Sequence, residues 1–309
     1  MGTRSGGDRA GATASLKRLR RLSRRRSQRS AERAFVIDGP VLLADALGAG
    51  VGVEQVLAEP GARADLLESA ASAGASVRAV APGALAKATD TVTPQPVAAI
   101  ARIPDLPLVG ALDAIADAGP LVLVLVGVAD PGNAGTLLRS AEAAGAGAVV
   151  FCDGSVDPYG PKCVRSSAGA VFRVAVVREA TADTTLDQLR TRGVLRVATV
   201  ARGEHTVAYD QVDLSGPTAV VLGNEAHGLP PGLQDAVDRT VTIPMVGRTE
   251  SLNVAMAGTI LCFESLRQRR SRLPSSAPPP HPGDTGKPVR GTDAAPEESR
   301  FGGPEAPEP

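Results

Sequence analysis

Residues 121–146 have the sequence LVLVLVGVADPGNAGTLLRSAEAAGA, and this stretch decides the fold of the larger part of the 309-residue chain. Six apolar residues, 121–126, stand between Pro120 and Gly127, which is typical of a strand buried on both faces of a parallel sheet. The polar loop and the small-residue helix that follow give the strand–loop–helix order of an α/β domain. We therefore predict a parallel sheet covered by helices.

The same alternation continues to residue 270. In this larger part we predict helices over 134–145, 159–168, 184–191, 232–237 and 251–270, and strands over 148–152, 174–177, 194–200, 218–222 and 240–243. Further towards the N-terminus, short strands alternate with helices and Gly/Pro turns, which predicts a small α/β domain of parallel-sheet type. Its predicted strands are 35–37, 53–58 and 77–80, and its helices are 41–49 and 64–73.

Charge is distributed unevenly, although 33 Lys+Arg balance 33 Asp+Glu. Residues 1–33 carry eleven basic and two acidic side chains, whereas the last 38 residues contain ten prolines and few apolar groups that a core could bury. The predicted organisation is a disordered segment 1–14, a small domain 15–100 with a basic N-terminal helix, a linker 101–119, a larger domain 120–272 and a disordered tail 273–309.

The basic N-terminal segment has two possible interpretations, and charge alone does not decide between them. A signal peptide is rejected because acids interrupt the apolar stretch that would have to follow. A solvated helix face is one reading, and an arm that binds the phosphates of a nucleic acid is the other, slightly favoured one. The spacing of Leu16, Leu19 and Leu22 predicts that this helix docks along one apolar edge.

Several classes of protein lose support from missing patterns. No apolar run approaches the roughly 18 residues of a membrane helix. Three cysteines without a CxxC pair argue against a disulfide scaffold and a zinc finger, so we expect neither a membrane span nor a metal. GxGxxG, GxxxxGK[ST] and a nucleophile elbow are also missing, which argues against a Rossmann dehydrogenase, a P-loop enzyme and a hydrolase.

Three unusual loops follow predicted strands and should meet at one edge of the sheet, because ligands bind outside the carboxyl ends of parallel strands. The polar side chains that these loops and their helices would bring together are Asn133, Arg139, Glu225, Ser251 and Asn253. Taken singly, each has an ordinary structural explanation. Asn133 is a good helix N-cap, Arg139 has Glu142 available for a salt bridge, and Ser251 can start the last helix. Together they predict a crevice for a polar ligand.

At these residues the sequence resembles the SpoU (TrmH) family of RNA 2′-O-ribose methyltransferases, within the SPOUT superfamily. The stretches that carry the resemblance are DPGNAGTLLRSAEAAGA (130–146), PKCVRSSAGAVFRVAV (161–176), VVLGNEAHGLP (220–230) and IPMVGRTESLNVAMAGTILCFE (243–264). Residues 15–100 are similar to the accessory substrate-binding domain of many members, which itself resembles kink-turn-binding ribosomal proteins. The sequence departs from the family pattern at Ala134, Thr136 and His227.

The resemblance implies a C-terminal parallel sheet with a deep trefoil knot, an obligate homodimer and S-adenosyl-L-methionine as the cofactor. It assigns cofactor binding to Leu222, Gly223, Asn224, Gly228, Ile243, Met245 and Leu252. The basic residues that we assign to RNA binding are Lys17, Arg18, Arg20, Arg21, Arg24, Arg25, Arg26 and Arg165. The catalytic set is Arg139, Asn133, Glu225, Ser251 and Asn253.

Family precedent gives Arg139 the task of activating the ribose 2′-OH, with Asn133 orienting it across the dimer. A guanidinium with a pKa above about 12 is a poor base, so we expect Arg139 mainly to position a phosphate and stabilise the developing alkoxide. The expected function is cytoplasmic methylation of a ribose in 23S ribosomal RNA. The alternatives are a transfer-RNA ribose methyltransferase, a ribosome-directed self-resistance enzyme, a base N-methyltransferase of the same superfamily and a catalytically silent ribosome-assembly protein.

Overall fold

The computed structural model describes residues 4–89, 93, 95–113, 120–201 and 206–272. The N-terminal part forms a four-stranded sheet with helices around it. Its elements are α1 (Arg4–Arg24), α2 (Arg26–Glu32), β1 (Ala34–Asp38), α3 (Pro40–Gly48), β2 (Val53–Ala58), α4 (Ala64–Ser72), β3 (Ser76–Ala79), α5 (Ala84–Ala88), β4 (Val97–Arg102) and α6 (Leu108–Asp113).

The small sheet has the strand order β1-β4-β2-β3. Only β2 and β3 are parallel, because β4 runs antiparallel to both β1 and β2. Our expectation of a parallel small sheet was wrong. The cause is β4, a strand that the prolines at 94, 96 and 104 obscured in the sequence. It continues to Arg102, past the start of the predicted linker, and α6 also lies within that linker.

The predictions for the N-terminal and C-terminal segments have different outcomes. Helix α1 begins at Arg4, inside the segment that we expected to be disordered. Its Leu19 and Leu22 are fully buried against the small domain, which confirms docking along an apolar edge. The predicted disordered tail 273–309 lies outside the described residues.

The larger part forms a seven-stranded sheet in which every strand pair is parallel, as predicted. The strand order is β7-β6-β5-β10-β8-β11-β9. Its elements are β5 (Leu121–Leu125), α7 (Pro131–Ala143), β6 (Ala146–Cys152), α8 (Pro161–Ser166), β7 (Ala175–Ala180), α9 (Ala182–Thr191), β8 (Leu195–Thr199), β9 (Val207–Ala208), β10 (Thr218–Leu222), β11 (Arg239–Thr242) and α10 (Val254–Arg272), with 3₁₀ turns at Ala170–Phe172 and Tyr209–Gln211.

One predicted helix and one helix start were wrong. Residues 232–237 form successive turns instead of a helix, because Gly232 adopts a positive φ of 85° and the preceding prolines donate no backbone hydrogen bond. Helix α10 begins at Val254 and not at Ser251. The side chain of Asn253 accepts hydrogen bonds from the amides of Ala255 (2.8 Å) and Met256 (3.3 Å), so Asn253 caps this helix.

The two parts pack against each other around α2. The Arg29 side chain is buried and its Nε donates to Asp157 Oδ2 at 2.7 Å, in the loop between β6 and α8. The ring of Phe35 lies 4.9 Å from that of Tyr159, centroid to centroid. These contacts fix the basic N-terminal segment beside the carboxyl edge of the large sheet.

Candidate active site at the carboxyl edge of the large sheet

Three loops that carry the predicted site residues leave the carboxyl ends of β5, β10 and β11. Strands β5 and β10 are adjacent and parallel, with Leu125 opposite Leu222, so the loops after them start side by side. Strand β11 lies beyond β8 in the same sheet. The three loops converge, as predicted, at Asn133, Glu225 and Asn253.

A chain of side-chain hydrogen bonds joins the three loops. Asn133 Nδ2 donates to Glu225 Oε1 at 3.0 Å, and Asn253 Nδ2 donates to Asn133 Oδ1 at 2.9 Å. Glu225 also accepts the backbone amides of Ala129 (3.0 Å) and Asp130 (3.1 Å). Residues that are 92 and 120 positions apart in sequence thus form one polar wall.

This wall keeps Glu225 ionised. Partial burial raises the pKa of Glu225, but hydrogen bonds from the Ala129 amide, the Asn133 side chain and the Asp130 amide outweigh it, so the pKa lies below its usual value. A carboxylate that already accepts three hydrogen bonds has little capacity left to accept a proton from a substrate. Glu225 therefore serves to hold the loops in place.

A cavity of about 590 Å³ opens beside this wall. Small-molecule sites commonly have volumes of about 300–1,000 Å³. Nine predicted site residues line the cavity: Gly223, Asn224, Glu225, Gly228, Ile243, Met245, Ser251, Leu252 and Asn253. Most of the predicted cofactor and pocket residues therefore surround one space.

The loop 223–228 is closed on itself at one wall of the cavity. The amide of Asn224 donates to the Gly228 carbonyl at 2.8 Å, and the amide of Gly228 donates back to the Asn224 carbonyl at 2.9 Å. The Asn224 side chain also donates to the Gly127 carbonyl at 2.8 Å and ties this loop to the one after β5. Asn224 therefore organises the loop as well as lining the cavity.

Some predicted residues lie elsewhere. Leu222 is fully buried and does not line the cavity, and its carbonyl accepts the Val126 amide. Arg139 is exposed on α7, outside the cavity lining, and forms no hydrogen bond or ion pair with the described residues. The alternative salt bridge to Glu142 is wrong, because that carboxylate pairs with Arg173 at 3.0 Å.

The predicted N-cap of α7 was also wrong. Asp130 caps this helix, and its Oδ1 accepts the Asn133 amide at 2.9 Å. That hydrogen bond and the charge of Lys162 lower the pKa of Asp130 by more than burial raises it, so the pKa lies below its ordinary value. The cap leaves the Asn133 side chain available for Glu225 and Asn253.

The basic residues assigned to RNA binding differ in whether other residues of the chain contact their side chains. Arg18 forms ion pairs within the small domain, with Glu32 at 2.7 Å and Glu54 at 2.9 Å. Weaker or single contacts hold Arg21 (3.8 Å to Glu32), Arg26 (3.1 Å to the Ser155 carbonyl) and Arg165 (3.9 Å to Asp38). Lys17, Arg20 and Arg25 are exposed, and their side chains contact no acid in the described part of the chain. Arg24 is exposed as well.

Sequence reasoning missed part of the cavity. Residues 199–201 line it directly after β8, and Leu229, Gln234 and Ala257 line it from the following turn and from α10. The rule that ligands bind at the carboxyl ends of parallel strands applies equally to β8, and it would have identified residues 199–201.

The described residues contain neither a helix that is long and apolar enough to cross a membrane nor a group of three or more His, Cys, Asp or Glu side chains that could hold a metal ion.

Comparison with known proteins shows the family of this chain. The sequence matches the SpoU rRNA Methylase family over residues 120–263 and the MRM3-like substrate binding domain over residues 14–99. The 23S rRNA (guanosine(2553)-2′-O)-methyltransferase RlmP of Bacillus subtilis (strain 168) is 32% identical over 238 residues, which are 77% of this chain and 90% of that protein. The chain belongs to the SpoU rRNA methylase family.

Other members of this family are similar in sequence or in structure. The 23S rRNA (uridine(2479)-2′-O)-methyltransferase of Streptomyces viridochromogenes is 37% identical over 153 residues, 48% of this chain and 53% of that protein. An AdoMet-bound rRNA methyltransferase from Sinorhizobium meliloti gives a TM-score of 0.74 at 31% identity, covering 84% of this chain and 95% of the other. The SpoU methyltransferase AviRb from Streptomyces viridochromogenes, in complex with AdoMet, gives 0.73 at 29% identity and covers 84% and 99%.

Proposed function

We propose that this protein transfers a methyl group from S-adenosyl-L-methionine to a ribose 2′-OH of 23S ribosomal RNA, in the cytoplasm, where ribosomal RNA is found. The observation that carries the proposal is the polar wall of Asn133, Glu225 and Asn253 beside a ligand-sized cavity. The RNA 2′-O-methyltransferase relatives and the AdoMet-bound structural neighbours support the same reaction.

The cavity suits S-adenosylmethionine. Its volume is in the range of cofactor sites, and residues of the two loops after β10 and β11 line it. Ile243, Met245 and Leu252 offer apolar surface to an adenine ring, while Gly223 and Gly228 allow the backbone to approach a ligand. When bound, S-adenosylmethionine supplies an electrophilic methyl carbon attached to a sulfonium sulfur.

The other proposed roles belong to residues of the chain. The Asn133–Glu225–Asn253 wall orients the loops, and Ser251 presents a hydroxyl to the cavity. We assign Arg139 to holding the nucleotide phosphate and stabilising the charge that develops on the 2′ oxygen. The exposed side chains Lys17, Arg20, Arg24 and Arg25 hold the RNA backbone.

Arg139 can act only if it reaches a cavity, and we propose that it reaches that of a second subunit. Its absence from the lining of its own cavity supports a homodimer. The exposed apolar side chains of Leu252, Met256 and Phe263, on and just before α10, support an interface at that helix. We also propose the trefoil knot, for which the insertion of β10 between β5 and β8 is the supporting feature.

The experiment that tests this function is Arg139→Ala. We expect methyl transfer to 23S ribosomal RNA to fall by at least about 100-fold, as when one donor to a developing oxyanion is removed, while calorimetry still detects S-adenosylmethionine binding. Arg190→Ala, an exposed change on α9, is the control. Full activity of Arg139→Ala would contradict the mechanism. If Arg139 acts across a dimer, mixing Arg139→Ala with Asn253→Ala subunits should restore part of the activity.

A further inference from the structure

A second groove, of about 540 Å³, lies between the small domain and the large sheet, apart from the cofactor cavity. It is formed by the C-terminal end of α2, the segment 104–108, β7 and the first turn of α9. None of its lining residues also lines the cofactor cavity. Sequence reasoning assigned no residue of this groove to the site.

The groove combines apolar surface with two guanidinium groups. Leu106, Val176 and Val177 give it apolar walls, and Arg33 and Arg178 stand among them. The Arg178 guanidinium lies 5.8 Å from the centroid of the Tyr159 ring, which orients it. This combination suits single-stranded RNA, because an unstacked base can pack on apolar side chains or on the plane of a guanidinium while arginine pairs with its phosphates.

The groove also contains hydroxyl groups and one acidic side chain in a solvent-exposed ion pair. Ser30, Thr181 and Thr184 add hydrogen-bonding groups for a ribose or a phosphate. Asp105 is the one acid among the described lining residues, and it pairs with Arg33 at 2.6 Å. The Asp105 side chain is 80% exposed and that of Arg33 is 49% exposed. An ion pair this open to solvent contributes little, so a phosphate can replace Asp105 as the partner of Arg33.

The position of the groove relates it to the cofactor cavity. Helix α2 starts beside β6, where the Arg26 guanidinium donates to the Ser155 carbonyl at 3.1 Å, and it ends at the groove beside β7. The order β7-β6-β5-β10 separates the groove from the strand that opens the cavity by three strand spacings, or roughly 14 Å. Both sites lie at the carboxyl edge of the sheet.

We propose that this groove binds a nucleotide of the RNA strand that flanks the methylation target, with its base on the apolar surface and its phosphates at Arg33 and Arg178. The proposal rests on the proposed function, because it takes the RNA substrate from there. It gives the enzyme a contact with single-stranded RNA that is separate from the basic face of α1.

The test is the double variant Arg33→Gln with Arg178→Gln, in the full chain, with a fluorescein-labelled oligoadenylate as the probe. Binding is measured by fluorescence anisotropy over a range of salt concentrations, without cofactor. The slope of log K against log salt is negative, and each lost phosphate contact on a single strand reduces its magnitude by about 0.7. We therefore expect the magnitude to fall by about 1.4 and the binding to weaken. Thermal unfolding checks that the variant is folded.

The matched control is Arg63→Gln with Arg190→Gln. Both arginines are exposed and each pairs with a nearby acid, as Arg33 does, so the change in net charge is the same. Equal losses in the two double variants would show a general charge effect and would overturn the proposal. Binding of the oligoadenylate by the groove variant with wild-type affinity would also overturn the proposal. A peptide strand that pairs with the edge of β7 would then be the better occupant.

A second variant keeps the test independent of the two arginines. Thr184→Glu adds an acid to the first turn of α9, where a negative charge favours the helix but repels a phosphate in the groove. We expect weaker oligoadenylate binding and a higher KM for 23S ribosomal RNA at unchanged kcat. If wild-type protein methylates this RNA but the groove variants match the control, the groove proposal fails alone. If wild-type protein transfers no methyl group, the proposed function fails.

Discussion

Gly223 determines how closely the loop 223–228 can fold back on itself. A Cβ atom at this position would lie 2.4 Å from the carbonyl carbon of Gly228, a backbone atom that cannot rotate away. Gly228 has a φ of 67°, which favours glycine, so the loop cannot relax easily at its other end. The two hydrogen bonds between Asn224 and Gly228 depend on this close approach.

Gly223→Ala should therefore open the loop. We expect S-adenosylmethionine binding to be lost in calorimetry and the free energy of unfolding to fall by about 1–3 kcal/mol, as for other overpacked sites. Gly216→Ala is the control, since a Cβ there meets no atom within 4 Å and the substitution changes only a turn. A Gly223→Ala protein with wild-type affinity for the cofactor would show that the close approach is dispensable.

At the scale of elements, the contact between α2 and the loop after β6 includes one buried ion pair. The side chains of Arg29 and Asp157 are 7% and 6% exposed, and Arg29 also donates to the Leu22 carbonyl at 2.7 Å. Asp157 Oδ1 accepts the Tyr159 amide at 3.0 Å. Removing the negative charge leaves a buried guanidinium without its counterion.

Asp157→Asn should lower the free energy of unfolding by about 3–5 kcal/mol in urea denaturation. The control is Asp187→Asn, which breaks the exposed pair with Arg190 and should cost about 0–1 kcal/mol. Similar losses in the two variants would mean that burial of the pair between the domains adds nothing.

Elements with a strong local pattern were predictable, and elements defined by distant partners were not. The apolar run of β5 and the glycine loop after β10 were identified because their residues carry the signal themselves. Strand β4 was missed because the prolines at 94, 96 and 104 flank it and its antiparallel partners are distant in sequence. The same limit applies at the site: the sequence suggested Asn133, Glu225 and Asn253, but only the fold shows that Asp130 caps α7 and leaves Asn133 free to join the others.

At the scale of the whole molecule, one of the hydrophobic clusters spans both domains. A single cluster of buried residues includes Phe35 and Ile37 of the small sheet together with Leu121 and Val149 of the large one. The Phe35 ring contacts Tyr159 and also lies 6.2 Å from Phe172, centroid to centroid. Because this cluster joins the two sheets, we expect both to unfold in one cooperative transition.

The three cysteines report on this cooperativity, because all of them lie in the large domain and are buried. Burial raises the pKa of Cys152 to about 11 and those of Cys163 and Cys262 to about 12. At pH 8 almost no thiolate is present in the folded protein, and the side chains are inaccessible to a reagent. Labelling by a disulfide reagent therefore measures unfolding.

Phe35→Ala, a change in the small domain, should then accelerate labelling of all three thiols in the large domain. We expect it to destabilise the chain by about 3–5 kcal/mol, as for other large-to-small changes of a buried phenylalanine, and to raise the labelling rate in proportion to the unfolded fraction. Val41→Ala is the control, because Val41 belongs to the same domain but is 73% exposed. If Phe35→Ala melts the small domain while the three thiols stay protected as in the wild type, the domains unfold separately and the cluster that spans both does not couple them.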